Sequence, residues 1–390
     1  MSERSIWASR ALLPLPVGER ARVRAVSRDG RIASIETDVD PEAADESYPD
    51  ALLAPGLVDL QVNGALGVAF AAPDAAERRR AVDWHVRAGT TSLLATLVSA
   101  PLDSLAAALE RLAGDSNAGG PVLGIHLEGP FLAPEKCGAH DPRSLVEPTR
   151  EAVERLVACA GDALRMVTLA PELPGALEAV ERFARASVVV AAGHSCAELT
   201  QVRAALARGL SFVTHVGNAS DWPTRRFDPQ LGYRRSEPGL VGAFMLEPRL
   251  RGSLILDGVH VHPELARALI ELRGPENVAL VSDASPAAGL PPGHYRLGAL
   301  DAEIHPEGFA TAGEGLAGSV VPLMEVVRTA VREAGVPLER ALRMASEMPA
   351  RTLGVEDRKG RLLAGADADW LLLADDLELS AVYRAGELVV

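Results

Sequence analysis

Residues 186–220, ASVVVAAGHSCAELTQVRAALARGLSFVTHVGNAS, read as one complete structural repeat. Val188–Ala192 is a short, β-branched apolar run, the composition of a strand buried on both faces. Ala197–Arg208 carries a helical pattern and Phe212–Thr214 is a second apolar run. A strand, a helix and a strand so closely spaced make a parallel pair joined by a crossover helix. Both runs lead into a histidine, His194 after the first and His215 after the second.

The same unit recurs on either side. Leu52–Val62, Thr91–Val98, Val122–Leu127 and Met166–Leu169 precede it, and Leu254–Leu256 and Val278–Val281 follow it. Helical patterns lie between most of them, with Leu102, Leu105, Leu109 and Leu112 on one face as an example. Eight such runs predict an α/β protein with a TIM-like (β/α)8 barrel over residues 54–354. Polar residues fall just past these runs: Gln61 and Asn63, Glu128, His194, His215, His260 and Asp283. In a barrel those strand ends share one face, where active sites are built. The chain ends differ, since Arg22–Glu36 with an Asp29-Gly30 turn and Asp369–Val390 with an Ala385-Gly386 turn read as antiparallel hairpins. They predict a small β-domain from residues 1–53 and 355–390.

Composition excludes several function classes. A net charge of −14, with no basic run interleaved with aromatics, argues against nucleic acid as a partner. No apolar stretch is long enough for a membrane span, and the N-terminus, with Glu3, Arg4 and Arg10, has no secretory apolar core; a cytoplasmic protein is expected. Cys137, Cys159 and Cys196 form no C-x-x-C pair and fit reduced thiols. The only lysines, Lys136 and Lys359, fall in loop-like segments, which disfavours Schiff-base chemistry and a carbamylated-lysine metal bridge. Arg225–Arg235 reads as a polar, arginine-rich loop. Gly313–Gly318 satisfies G-x-G-x-x-G but follows no strong strand, so it reads as a close-packed loop. Gly193-His194-Ser195-Cys196-Ala197 lacks the second glycine of a nucleophile elbow. His85, His262, His294 and His305 lie away from strand ends and read as structural or exposed.

Glu128, His194 and His215 are one carboxylate and two imidazoles at separate strand ends, the donor set of a catalytic zinc with an open position. Taken singly, each has a plain structural reading as a hydrogen-bonded or capping residue; jointly, on one barrel face, they read as ligands. Asp283 is placed to serve as general base and then acid, or alternatively as a turn aspartate. His140, in Gly138-Ala139-His140-Asp141-Pro142, could polarise a carbonyl or could be an exposed loop residue.

With these residues in hand, the sequence resembles the N-acetylglucosamine-6-phosphate deacetylase family of the amidohydrolase superfamily along nearly its whole length. The markers are Ala54-Pro55-Gly56-Leu57-Val58-Asp59 with Gln61-Val62-Asn63-Gly64, His126-Leu127-Glu128-Gly129-Pro130-Phe131, and Ala192-Gly193-His194-Ser195. Thr214-His215 with Asn218-Ala219, Asp257-Gly258-Val259-His260 and Ser282-Asp283-Ala284 complete the set. The resemblance implies a barrel flanked by a β-sandwich from both termini, and a homodimer. It implies Glu128, His194 and His215 as ligands to a divalent metal ion, zinc by preference, with Asp283 handling the proton and His140 polarising the acetyl carbonyl. His260, Asn218 and Ala219 would contact the sugar phosphate, with Gln61 and Asn63 also lining the substrate site. Many superfamily members carry a His-x-His pair where this chain has Gln61 and Asn63, which implies a single ion here.

One departure bears on substrate. Family members place an arginine, reaching from a neighbouring subunit to the phosphate, directly before a Glu-Pro-Gly; here Ser236 precedes Glu237-Pro238-Gly239. Gly217 also stands where an aromatic is common. Arg234 or Arg235 are the candidate replacements, with Arg225 and Arg226 behind them, because guanidinium suits phosphate geometry. The expected activity is therefore deacetylation of N-acetylglucosamine 6-phosphate or a close amino-sugar phosphate. The alternatives are hydrolysis of a different, unphosphorylated N-acyl compound, and a silent binding protein on the same fold.

Overall fold

A computed structural model describes residues 3–14, 18–116, 120–297, 300–313 and 315–390. Its centre is an eight-stranded parallel sheet: β1 (Val58–Val62), β2 (Ser92–Val98), β3 (Val122–Glu128), β4 (Leu164–Leu169), β5 (Val189–Ala192), β6 (Leu210–Val213), β7 (Arg251–Leu254) and β8 (Val278–Leu280). Each strand is followed by a helix, from Ala75–Arg87 after β1 to Leu323–Arg332 after β8. The sequence is thus a (β/α)8 barrel. Most of its strands are apolar on both faces, with Leu60, Leu94, Met166, Ala191, Phe212 and Ala279, and Ile255 and Val281 just past β7 and β8, in an inner core and the alternate residues packed against the helices. Between β8 and β1 the ladder is incomplete. There Val62 and Ala284 form a single bridge, and the buried Asp59 carboxylate accepts the backbone N–H and hydroxyl of Ser282.

The chain termini form a second sheet of seven strands. In order these are Glu387–Leu388, Leu379–Arg384, Trp370–Leu373, Glu46–Pro55, Glu3–Leu12, Glu19–Arg28 and Arg31–Glu36. Side-chain alternation gives this sheet two apolar faces. Leu52, Ala54, Leu371, Leu373 and Val382 join the barrel core, whereas Leu53, Trp370, Leu372, Ala381 and Tyr383 belong to a separate core. Buried Lys359 bridges Asp367 and Asp369 at 2.8 and 2.6 Å just before the returning strands.

Three sequence readings are corrected. The run Leu52–Val62 is two strands rather than one, because the chain leaves the terminal sheet at Gly56, where a Cβ would lie 2.2 Å from Thr91 Oγ1. Arg225–Arg235 is not a loop but a β-hairpin, Thr224–Asp228 paired with Tyr233–Glu237. Gly315–Ser319, within the glycine-rich motif, is the last strand of a four-stranded antiparallel sheet; Glu314 lies outside the described residues. Among the described residues no helix is long and apolar enough to cross a membrane.

Candidate metal centre

Glu128 is the last residue of β3, and His194 and His215 stand two residues past β5 and β6. Glu128 Oε1 lies 3.2 Å from His194 Nε2 and 2.9 Å from His215 Nε2, and the two nitrogens are 3.1 Å apart. That spacing is expected of donor atoms sharing one ion on bonds of roughly 2.0–2.2 Å. His194 Nδ1–H donates to the Lys136 carbonyl at 2.8 Å, which fixes the ring with Nε2 turned to the carboxylate.

The electrostatics agree. Burial alone would raise the pKa of Glu128, yet the His194 and His215 contacts hold it well below its ordinary value. Burial alone would lower His215, yet Glu128 pulls it up. An anionic Glu128 attracts positive charge, and two imidazoles with one carboxylate suit a divalent cation; among the described residues no other cluster of three such groups could hold one.

Backbone strain marks the same place. His194, His215 and Asp283 have φ of +49, +32 and +48°, a region costly for side chains with a Cβ and concentrated at functional sites.

The other expected residues fall around this centre with unequal closeness. Asp283, three residues past β8, is half-buried, and loss of hydration followed by the Glu128 charge pushes its pKa up to about 7. Gln61 and Asn63 do not point freely into a substrate cleft. Gln61 Nε2 donates to Glu128 Oε1 at 3.0 Å, and Asn63 Nδ2 donates to Asp283 Oδ1 at 2.8 Å. His140 packs edge-on against His194 with ring centroids 4.6 Å apart, its Nε2 3.8 Å from Glu128 Oε2. Burial and then the neighbouring His194 push its pKa down to about 3, so it is neutral. His260 Nδ1 meets Asp257 Oδ2 at 2.8 Å, while Asp257 Oδ1 accepts the backbone N–H groups of Val259 and His260. Asn218 Nδ2 is buried without a partner, and Ala219 sits in the left-handed region at φ +45°. The Trp222 ring stands beside Gly217, so an aromatic five residues along the chain covers that position.

The arginines separate clearly. Arg226 reaches back to Asp221 and the Cys196 carbonyl, and Asp221 also pairs with Lys136 at 2.7 Å. Arg235 pairs with Asp228 at 3.0 Å on the exposed hairpin, which also carries Arg234, and neither contacts the centre of its own chain.

Four participants were not anticipated. Ser99, one residue past β2, contacts His140 Nδ1. Glu172, three residues past β4, accepts the Ser195 hydroxyl at 2.7 Å and the Cys196 N–H. Asp257 and the Lys136 carbonyl orient histidines. Ser99 and Glu172 occupy the strand-end position that flagged the others, so their place was visible although their residue types drew no attention.

Comparison with known proteins gives a consistent picture. The Amidohydrolase family pattern matches residues 52–389. N-acetylgalactosamine-6-phosphate deacetylase of Escherichia coli O157:H7 is 37% identical over 367 residues, covering 92% of this chain and 93% of its own. N-acetylglucosamine-6-phosphate deacetylase of Bos taurus is 37% identical over 353 residues, covering 87% of this chain and 83% of its own. The Mycobacterium smegmatis N-acetyl-D-glucosamine-6-phosphate deacetylase, solved with N-acetyl-D-glucosamine-6-phosphate, matches with a TM-score of 0.91 at 35% identity over 100% of both chains.

Proposed function

We infer the reaction from kinship and geometry together: this chain belongs to the amidohydrolase family. It is a metal-dependent hydrolase that removes the acetyl group of N-acetylglucosamine 6-phosphate, giving acetate and the amino sugar phosphate. The observation that carries this reading is the convergence of Glu128, His194 and His215 beside an acid of raised pKa and a neutral imidazole.

A divalent ion held by these three ligands, zinc by the donor set, supplies Lewis acidity and a water of lowered pKa when bound. The protein's own groups do the rest. Asp283, with Oδ1 held by Asn63, takes up a proton at Oδ2 and returns it to the leaving amine. His140 donates a hydrogen bond to the acetyl oxygen as that atom gains charge. Gln61 and the Lys136 carbonyl fix the orientation of Glu128 and His194. His260, Asn218 and the Ala219 backbone receive the sugar phosphate, and the partnerless Asn218 amide is a donor that a substrate oxygen satisfies.

The phosphate end is built across two copies. The Thr224–Glu237 hairpin exposes Phe227, Leu231 and Tyr233 (62, 63 and 69% exposed), more apolar surface than an isolated hairpin carries without a partner. In a homodimer Arg234 and Arg235 reach the neighbouring site and supply the guanidinium that Ser236 cannot, while Arg226 lines the rim of its own.

The test is release of amine by zinc-loaded enzyme from phosphorylated and unphosphorylated N-acetylglucosamine. The phosphorylated compound is expected to react faster. Equal rates remove the phosphate assignment, and no hydrolysis of either removes the reaction. N-acetylgalactosamine 6-phosphate is the second reading, favoured by the 37% identity to the E. coli relative; the ratio of kcat/KM values for the two epimers decides between them.

A further inference from the structure

Ser99 follows β2, a barrel strand to which the proposed reaction assigns no residue. Its side chain is buried, 8% exposed for the residue, beside His140. The Ser99 backbone N–H donates to His140 Nδ1 at 3.2 Å, and the Ser99 hydroxyl lies 2.9 Å from the same nitrogen. A backbone N–H can only donate, so Nδ1 presents its lone pair and the single proton of the neutral ring sits on Nε2. Nε2 is the ring nitrogen on the side of the metal cluster, 3.8 Å from Glu128 Oε2.

The approach of Ser99 to this site depends on Gly129. With φ of +84°, that residue follows Glu128 directly, and a Cβ there would lie 2.2 Å from Ser99 Oγ. The same hydroxyl is 3.5 Å from the Glu128 carbonyl, so one serine touches both the strand that carries the carboxylate ligand and the loop that carries His140.

We propose that Ser99 is the positioning residue of His140: its N–H and hydroxyl hold Nδ1 as an acceptor, so that Nε2–H is the donor presented to the substrate carbonyl. The opposite tautomer presents a lone pair to a carbonyl oxygen and repels it. A doubly protonated ring sets Nδ1–H against the Ser99 N–H. Ser99 touches no reacting atom and acts only through the imidazole. The inference rests on His140 being the group that polarises the acetyl carbonyl.

The experiment uses zinc-loaded enzyme with 15N-labelled histidine, the His140 signals being assigned by their loss in His140→Asn. Expected are a non-protonated Nδ1 and a protonated Nε2; a proton on Nδ1, alone or in a doubly protonated ring, overturns the proposal. In kinetics, Ser99→Ala removes the hydroxyl donor and is expected to lower kcat about tenfold with little change in KM, the worth of one hydrogen bond to a positioned group. Added to His140→Asn it is expected to cost nothing further, since the residue it positions is gone. Ser99→Ala with unchanged kcat, while His140→Asn is slow, overturns the role of the Ser99 hydroxyl, and the backbone N–H is then judged by the 15N signals alone. His140→Asn with normal kcat removes instead the reading beneath it.

Discussion

Asp283, half-buried, and Glu128, fully buried, are two carboxylates in one pocket with opposite tendencies. The two histidines keep Glu128 anionic, whereas burial and the charge of Glu128 keep a proton within reach of Asp283 near neutral pH. One is therefore suited to a cation and the other to moving protons. Asp283→Asn is expected to lower kcat by roughly 10²–10⁴-fold while zinc still binds one per chain, as measured by metal analysis beside single-turnover kinetics. Near-normal turnover in that variant would assign the proton to another group. Gln61 acts on the ligand instead: its amide commits a hydrogen bond to Glu128 Oε1, the atom facing both histidines. Gln61→Ala is expected to weaken zinc binding about 10–100-fold in competition with a chelator. Wild-type affinity would make Gln61 a spectator. The convergence of Glu128, His194, His215 and Asp283 was legible in the sequence because each breaks an apolar run with a reactive group at the strand end. Ser99 and Glu172 hold the same position but are common surface residue types, and only packing shows that they hydrogen-bond to His140 and Ser195.

Among the elements, the eight strands were readable because their apolar runs are short and regularly spaced, and β1 blurs only where it abuts the terminal sheet at Gly56. The Thr224–Glu237 hairpin was unreadable for a physical reason. Both of its faces are largely exposed, so no apolar alternation marks it. Phe227→Glu combined with Tyr233→Glu is expected to convert a dimer to monomers in analytical ultracentrifugation and to raise KM for the phosphorylated sugar; an unchanged mass would place the interface elsewhere. The barrel seam makes a different prediction. Asp59 on β1 replaces missing ladder bonds by gripping Ser282, and burial raises its pKa to about 7 against the hydrogen bonds from Ser282 and Gln61. Its folded value lies above the unfolded one, so the folded chain holds this proton more tightly. The stability so gained is complete below the ordinary carboxylate value of about 3.9 and is lost as pH rises to about 7. In metal-free protein, the unfolding free energy from denaturant titrations should therefore fall across that window. Asp59→Asn should lack this component of the slope, and identical slopes would refute it.

Across the whole molecule, the two β-systems share one continuous apolar core, since Leu371 and Leu373 of the last part of the chain pack with the barrel helices while Trp370 and Leu372 face away. An ion at the proposed metal centre would add a second kind of cohesion. The proposed ligands come from β3 and from just past β5 and β6, so three segments far apart in sequence meet at donor atoms that one cation could share. Unfolding separates those ligands, and the ion then has no comparable site. Binding to the folded state alone stabilises it by RT ln(1 + [L]/Kd), about 2.7 kcal/mol when free zinc is one hundred times Kd. Chelation is therefore expected to lower the unfolding temperature reversibly, with zinc restoring it. The cause is local to the three ligands, so His194→Ala should unfold at a temperature insensitive to added zinc or chelator. Gln61→Ala should respond, but only at higher zinc. A His194→Ala protein that zinc still stabilises as strongly as wild type would place the ion somewhere other than Glu128, His194 and His215.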